Sequence, residues 1–123
     1  MLDKYLLVVV FHVIVIAPLL LFVGFSRAAT PDWVYSLLFG MGILVGVYHG
    51  YKAVVRLMTS SPVVWVNLIH VLFVAPMLLW IGFHGKKTGR PAYDMLLMLA
   101  FAAFGFHLYK LVVISQTFIK ADE

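Results

Sequence analysis

Cysteine is absent from the chain, which excludes disulfides, thiolate metal sites and cysteine nucleophiles together and leaves the redox compartment unread. Carboxylates are nearly as scarce. The five acids, Asp3, Asp32, Asp94, Asp122 and Glu123, fall in predicted loops or near the termini, so no apolar segment offers an acid and base pair, and a cation-selective pore lacks its acidic ring. No nucleophile with an adjacent base and no phosphate loop is present either, which argues against an enzyme of the soluble type. Charged residues of both signs make up only 11% of 123 positions, against 64% hydrophobic residues and a mean hydropathy of +1.06. That leaves too little polar surface to cover a soluble globule and points to a lipid bilayer as the surrounding medium. The net charge of +4 is carried by cations scattered at segment ends, where they face headgroups rather than form a nucleic-acid stripe.

Four windows, near 5–25, 33–57, 63–83 and 93–116, hold the roughly 20 apolar residues that a helix needs to cross about 30 Å of hydrocarbon. Each is expected to be helical, because lipid offers no partner for backbone amides and the runs are continuous rather than alternating as in a barrel. The first window runs to Phe25 without a small-residue cleavage site and is read as a retained span, not a cleaved signal. The stretches 26–32 and 84–91 carry turn residues, and Ser60 or Ser61 is placed to cap a helix that Pro62 begins. Short connections force antiparallel neighbours. The expected fold is therefore an all-α integral membrane protein, an up-down-up-down bundle forming one membrane domain over residues 1–123. Trp33, Tyr35, Trp65, Tyr5, Tyr51, Tyr93 and Tyr109 lie near predicted span ends, as interfacial aromatics do.

Shifting the chain by 58 positions gives about 18 identities over 56 aligned pairs, from Leu6 against Val64 onward, and these include the rare residues. His12 meets His70, Pro18 meets Pro76, Gly24 and Phe25 meet Gly82 and Phe83, Tyr35 meets Tyr93, and His49, Tyr51 and Lys52 meet His107, Tyr109 and Lys110. A two-span hairpin has been duplicated, with one copy at about 5–61 and the other at about 63–119. Two spans per copy make this a parallel repeat, so equivalent residues share one depth. His12 lies about seven residues into an outgoing helix and His49 about seven from the end of the returning one, so at 1.5 Å per residue both sit roughly 10 Å below the surface that holds the termini. His70 and His107 complete a layer of four imidazoles. Loop cations number five on the terminal side (Lys4, Lys52, Arg56, Lys110, Lys120) and four opposite (Arg27, Lys86, Lys87, Arg90), which leans toward cytoplasmic termini.

Ionisable residues inside spans tend to face the protein interior and mark function. The plainest role for these histidines is to pin helices by bonding a backbone carbonyl or a tyrosine hydroxyl; Pro18 and Pro76 leave the carbonyls of Ile14 and Leu72 without their intrahelical donors. A second role follows from the stripe Gly42, Gly46, His49, Lys52 and Arg56, which shares one helix face and is echoed by Ala100, Ala103, His107 and Lys110. Small residues there admit a flat group, imidazoles ligate iron, and Lys52, Lys110 or Arg56 near the headgroups pairs with propionates. Haem b bound through His12, His49, His70 and His107 for electron transfer is the expected function. The arrangement resembles in general design the bis-histidine sites of membrane cytochromes such as the cytochrome b561 class. None of that class's longer signatures occurs here, and no residue role is carried over from it.

A tetrahedral four-histidine metal site is disfavoured by Lys52 and Lys110, which would repel a divalent cation in low dielectric. A proton or anion conductor with a histidine and lysine vestibule is the main alternative, although IVIAPLLLFVG and LFVAPMLLWIG beyond the histidines provide no polar steps. A structural or assembly protein without a cofactor is the third. The partners expected are the bilayer, a redox partner and further copies of the chain.

Overall fold

The computed structural model describes residues 4–122, so Asp3 and Glu123 lie outside the described residues. It is 92% helical, with no strand among the described residues. Four helices are long and apolar enough to cross a membrane: α1 Lys4–Ala29, α2 Asp32–Met58, α3 Val64–Lys87 and α4 Arg90–Ala121. Each is longer than its apolar window. At the ends of α1 and α3 this follows from a last turn that tightens to 3₁₀ over Arg27–Ala29 and Gly85–Lys87, using up carbonyls that would otherwise be orphaned. Near the end of α4 the hydroxyls of Ser115 and Thr117 donate to Val112 O and Ile114 O of their own helix, as serine and threonine in apolar helices do.

The start of α3 departs from expectation. Its first residue is Val64 rather than Pro62, and no side chain caps it. Ser60 adopts a positive φ of 54° and Ser61 uses its carbonyl, not its hydroxyl, to accept from Val64 N. Asp32 and Asp94, expected in loops, instead lie in the first turn of α2 and within α4.

The chain divides into two compact units: α1 up to Phe25 with α4 from Asp94, and residues 26–93, which hold α2, α3 and the turns beside them. Each unit therefore takes one helix from each repeat. In the first, Gly24 lies against Leu97 and Phe25 against Phe101, while the imidazoles of His12 and His107 meet near the other end. Residue numbers rise on one helix as they fall on the other, so α1 and α4 run antiparallel. Their buried residues include Val9, Ala17, Leu20, Val23, Leu96 and Ala100.

In the second unit the pairs Gly82–Phe39, Gly42–Leu79, Gly46–Ala75 and His49–His70 give the same antiparallel order. Its buried residues include Leu38, Ala75, Leu78 and Ile81. The burial pattern repeats with the sequence: Ala17, Leu20 and Val23 correspond to Ala75, Leu78 and Ile81, each set spaced by three along one helical face. Backbones approach closely here. A Cβ on Gly82 would sit 2.6 Å from Phe39 N, and one on Gly42 would sit 2.9 Å from Leu79 Cγ, so both positions require glycine to seat the helices.

Tyr35 and Tyr93, expected among the interfacial aromatics, are instead buried at 3% and 2% exposure. Their hydroxyls lie 2.7 Å apart, so each meets its own repeat equivalent. Tyr35 donates to Arg27 O at 2.8 Å; its single proton is then used, and Tyr93 donates to the Tyr35 oxygen while approaching Gly85 O at 3.3 Å. Arg27 and Gly85 are themselves equivalent and share positive φ, 50° and 56°. Lys86 closes the same end by donating to Ala28 O and Thr30 O. Trp33, Trp65, Tyr5, Tyr51 and Tyr109 are exposed, as expected of aromatics at an interface. Most outward positions along the spans are apolar, with Ile14, Leu44, Val47, Met98 and Phe101 among them. Water would penalise such a surface and acyl chains would not.

Candidate functional site: two stacked imidazole pairs

The four histidines form two pairs, one within each unit. His12 of α1 stacks on His107 of α4 with ring centroids 4.3 Å apart and planes inclined by 27°. His49 of α2 stacks on His70 of α3 at 3.9 Å and 15°. Under the 58-residue shift the first pair becomes the second, so the pairing joins repeats rather than the two helices of one repeat.

Local backbone geometry positions the rings. His12 and His70 each open a five-residue π-helical segment, His12–Ile16 and His70–Val74, closed by Ala17 N–H on His12 O and Ala75 N–H on His70 O. Both segments end two residues before proline. A proline ring crowds the carbonyl four residues earlier, and the wider π turn makes room for it; such turns occur frequently at functional sites. The expected use of the Ile14 and Leu72 carbonyls is not what holds the histidines. His12 Nδ1 lies 2.7 Å from Val8 O and His70 Nδ1 lies 2.6 Å from Val66 O, both one turn back on the same helix. A carbonyl can only accept, so Nδ1 carries the proton and Nε2 of the neutral ring carries the lone pair. That is the tautomer a metal-ligating imidazole needs, with the oxygen acceptor in the supporting position.

His49 reaches the same state by another route. Its Nδ1 donates to Oδ1 of Asn67 on α3 at 3.0 Å, and Asn67 is 2% exposed. Reading the sequence for histidine, lysine and glycine passed over this residue. The signal was available, since Asn67 is the lone amide in an apolar window and its repeat equivalent is Val9.

The remaining residues of the expected site have mixed placements. Arg56 lies toward the α2–α3 turn, its Nη1 donating to Val63 O at 3.5 Å. Lys110 sits one turn beyond His107 with Nζ 5.6 Å from the Phe106 ring centroid, and Lys52 holds the matching position beyond His49. Gly42 and Gly46 face Leu79 and Ala75, so this stripe serves helix packing. Next to His49, Gly50 has no atom within 4 Å of an added Cβ, and open space adjoins the pair there. His84 stands apart near the end of α3, donating from Nδ1 to Trp80 O and stacking on Trp80 at 4.1 Å. Among the described residues no group of three or more metal-ligating side chains converges.

The donor set of each pair fits a metal held by two imidazoles from facing helices. A nitrogen-to-metal bond is about 2 Å, so two nitrogens flank such a metal at about 4 Å. The rings here meet face to face with centroids 4.3 and 3.9 Å apart, which leaves no room for a metal between them as they stand. Ligation would require the rings to turn away from this stacking. Comparison with protein-family models, with curated proteins and with solved structures gives no match.

Proposed function

We propose that the protein is a multi-pass membrane protein with its four spans inserted up-down-up-down, termini on the cytoplasmic side, and that its two imidazole pairs bind haem b for electron transfer. The observation that carries this reading is the tautomer. His12, His70 and His49 each place the Nδ1 proton on an oxygen acceptor, which makes Nε2 the lone-pair nitrogen of a ring that lies beside a second imidazole. Pinning helices together would be achieved as well by a bond across the helix interface, whereas two of these bonds stay within their own helix. Haem supplies one-electron redox chemistry between its iron states. The chain's part is to hold the ligands, to keep water from the iron with the surrounding apolar side chains, and to offer Lys52, Lys110 and Arg56 to the propionates. Such a carrier works with a redox partner at the bilayer surface, and two pairs give two haems per chain.

Detergent-purified protein tests the reading directly. It should show a Soret band and, on reduction, split alpha bands, with about half the haem lost in His12→Ala or His107→Ala and the other half in His49→Ala or His70→Ala. Protein that stays colourless after haemin addition defeats the proposal. Should that protein dissipate a pH gradient in liposomes, with the leak abolished by His49→Ala, conduction replaces it; protein that does neither is left with an assembly role.

A further inference from the structure

The α2–α3 unit carries a hollow of about 430 Å³, open on its outer side and lined by Phe39, Pro76, Leu79, Trp80, Phe83 and His84. A volume of this order suits a small ligand. Along α3 the lining runs from Pro76 to His84, eight residues or about 12 Å at 1.5 Å per residue. It is apolar except for His84, which closes the end nearest Lys86 and Lys87. The imidazole is fixed there. Its Nδ1 donates to Trp80 O at 2.8 Å, and its ring meets those of Trp80 at 4.1 Å and Phe83 at 5.3 Å. In the neutral ring Nε2 then holds a lone pair and can only accept.

The other copy of the hairpin lacks these features. Pro76, Leu79 and Phe83 match Pro18, Leu21 and Phe25, but Phe39, Trp80 and His84 stand where the other copy has Leu97, Phe22 and Ser26. At Gly24 the Leu97 side chain fills the notch beside the glycine, whereas at Gly82 the notch takes the Phe39 backbone and Cβ, and Phe39 helps line the hollow.

We propose that the hollow binds a sterol, a rigid flat lipid with one hydroxyl, its fused rings lying along Pro76 to His84 and its hydroxyl donating to His84 Nε2. This depends on insertion of the spans and not on the haem reading. The position of the acceptor favours it, because His84 lies within one turn of Lys87, at the span end where a membrane hydroxyl resides. Charge complementarity excludes a phospholipid phosphate, which can only accept and would meet a lone pair. A quinol carries oxygens at both ends of its ring, and the second would be left against apolar side chains without a partner. A flexible acyl chain loses rotamer freedom on binding that a fused ring system has already given up.

Photolabelling in phosphatidylcholine vesicles that contain a diazirine-bearing cholesterol analogue tests this. Label should concentrate on residues 76–84, saturate, and be displaced by added cholesterol. Cholesteryl methyl ether, which cannot donate, should compete about three- to tenfold less well, the range for one lost hydrogen bond, and His84→Ala should erase that difference. Trp80→Phe combined with His84→Ser, the residues of the other copy, should abolish saturable labelling in protein whose helicity by circular dichroism is unchanged. Label spread evenly over the four helices, or equal competition by cholesterol and its methyl ether in wild type, overturns the proposal. So does displacement by phosphatidylglycerol or a short-chain quinol in place of cholesterol. None of these outcomes touches the haem reading, which haemin addition tests separately.

Discussion

The α2–α3 unit and the α1–α4 unit are two solutions to one packing problem, written from the same duplicated hairpin. In α2–α3 the close approach is backbone against side chain and backbone against backbone, with Gly82 on Phe39 N and Gly42 on Leu79. In α1–α4 the equivalent of Gly82 is Gly24, and an added Cβ would meet the Leu97 side chain, 2.5 Å from Cδ2 and 2.6 Å from Cγ, with Leu97 N at 3.5 Å. A leucine tip can swing away and a peptide nitrogen cannot. The duplicated glycine thus has a different job in each copy, and identity across a repeat does not establish equal energetic weight.

The largest effect should separate these two glycines. Gly82→Ala forces α3 away from α2 and should lower stability by about 1–3 kcal/mol, as overpacking does, while Gly24→Ala should cost less than about 1 kcal/mol. Unfolding of the detergent-solubilised protein by added SDS measures both, and equal losses would remove the distinction. Next come the paired tyrosines. Tyr35→Phe leaves Arg27 O and the Tyr93 hydroxyl short of a partner and should cost about 1–2 kcal/mol. Tyr93→Phe removes only its shared donation and should cost less, with the double variant falling short of the sum because the hydroxyls are coupled. Additive losses would show that the two groups act separately.

The turn residues Arg27 and Gly85 allow a finer comparison. A sparsely populated backbone conformation with positive φ costs a non-glycine residue on the order of 1–3 kcal/mol. Arg27→Gly should therefore stabilise the chain and Gly85→Ala destabilise it by about that amount; calorimetric melting in detergent gives both signs, and a destabilising Arg27→Gly would mean that the arginine side chain outweighs its backbone cost. The smallest effects are expected at Thr59 and Thr117, repeat equivalents that return their hydroxyls to carbonyls of their own helices at Val55 and Ile114. Alanine at either should shift stability by less than about 0.5 kcal/mol, and a larger loss at one would reveal a partner beyond its own helix.

Much of the fold was legible because lipid compatibility is a property of composition. Long apolar runs can satisfy their amides only as helices, so four helices followed from hydropathy, and the duplication followed from rare residues recurring at one offset. The two π turns were not legible. Prolines signalled a disturbed hydrogen-bond ladder, yet whether the helix kinks, breaks or widens depends on what packs beside it. Tyr35 and Tyr93 were misplaced for a related reason: an aromatic near a span end looks interfacial until another helix brings it a hydroxyl partner.

The candidate site divides in the same way. Where His12, His49, His70 and His107 fall along their helices could be read from their spacing, because rise per residue is a constant of the helix. Which imidazole meets which could not. The sequence by itself determined the four helices and the recurrence of rare residues at a 58-residue offset, since helices depend on local periodicity and on transfer of side chains from water. Only the tertiary structure decided that each compact unit borrows a helix from either repeat, that His12 faces His107 while His49 faces His70, and that Asn67 bonds His49. Those outcomes turn on side-chain shape across a helix interface, where a few tenths of an ångström of backbone approach select the partner.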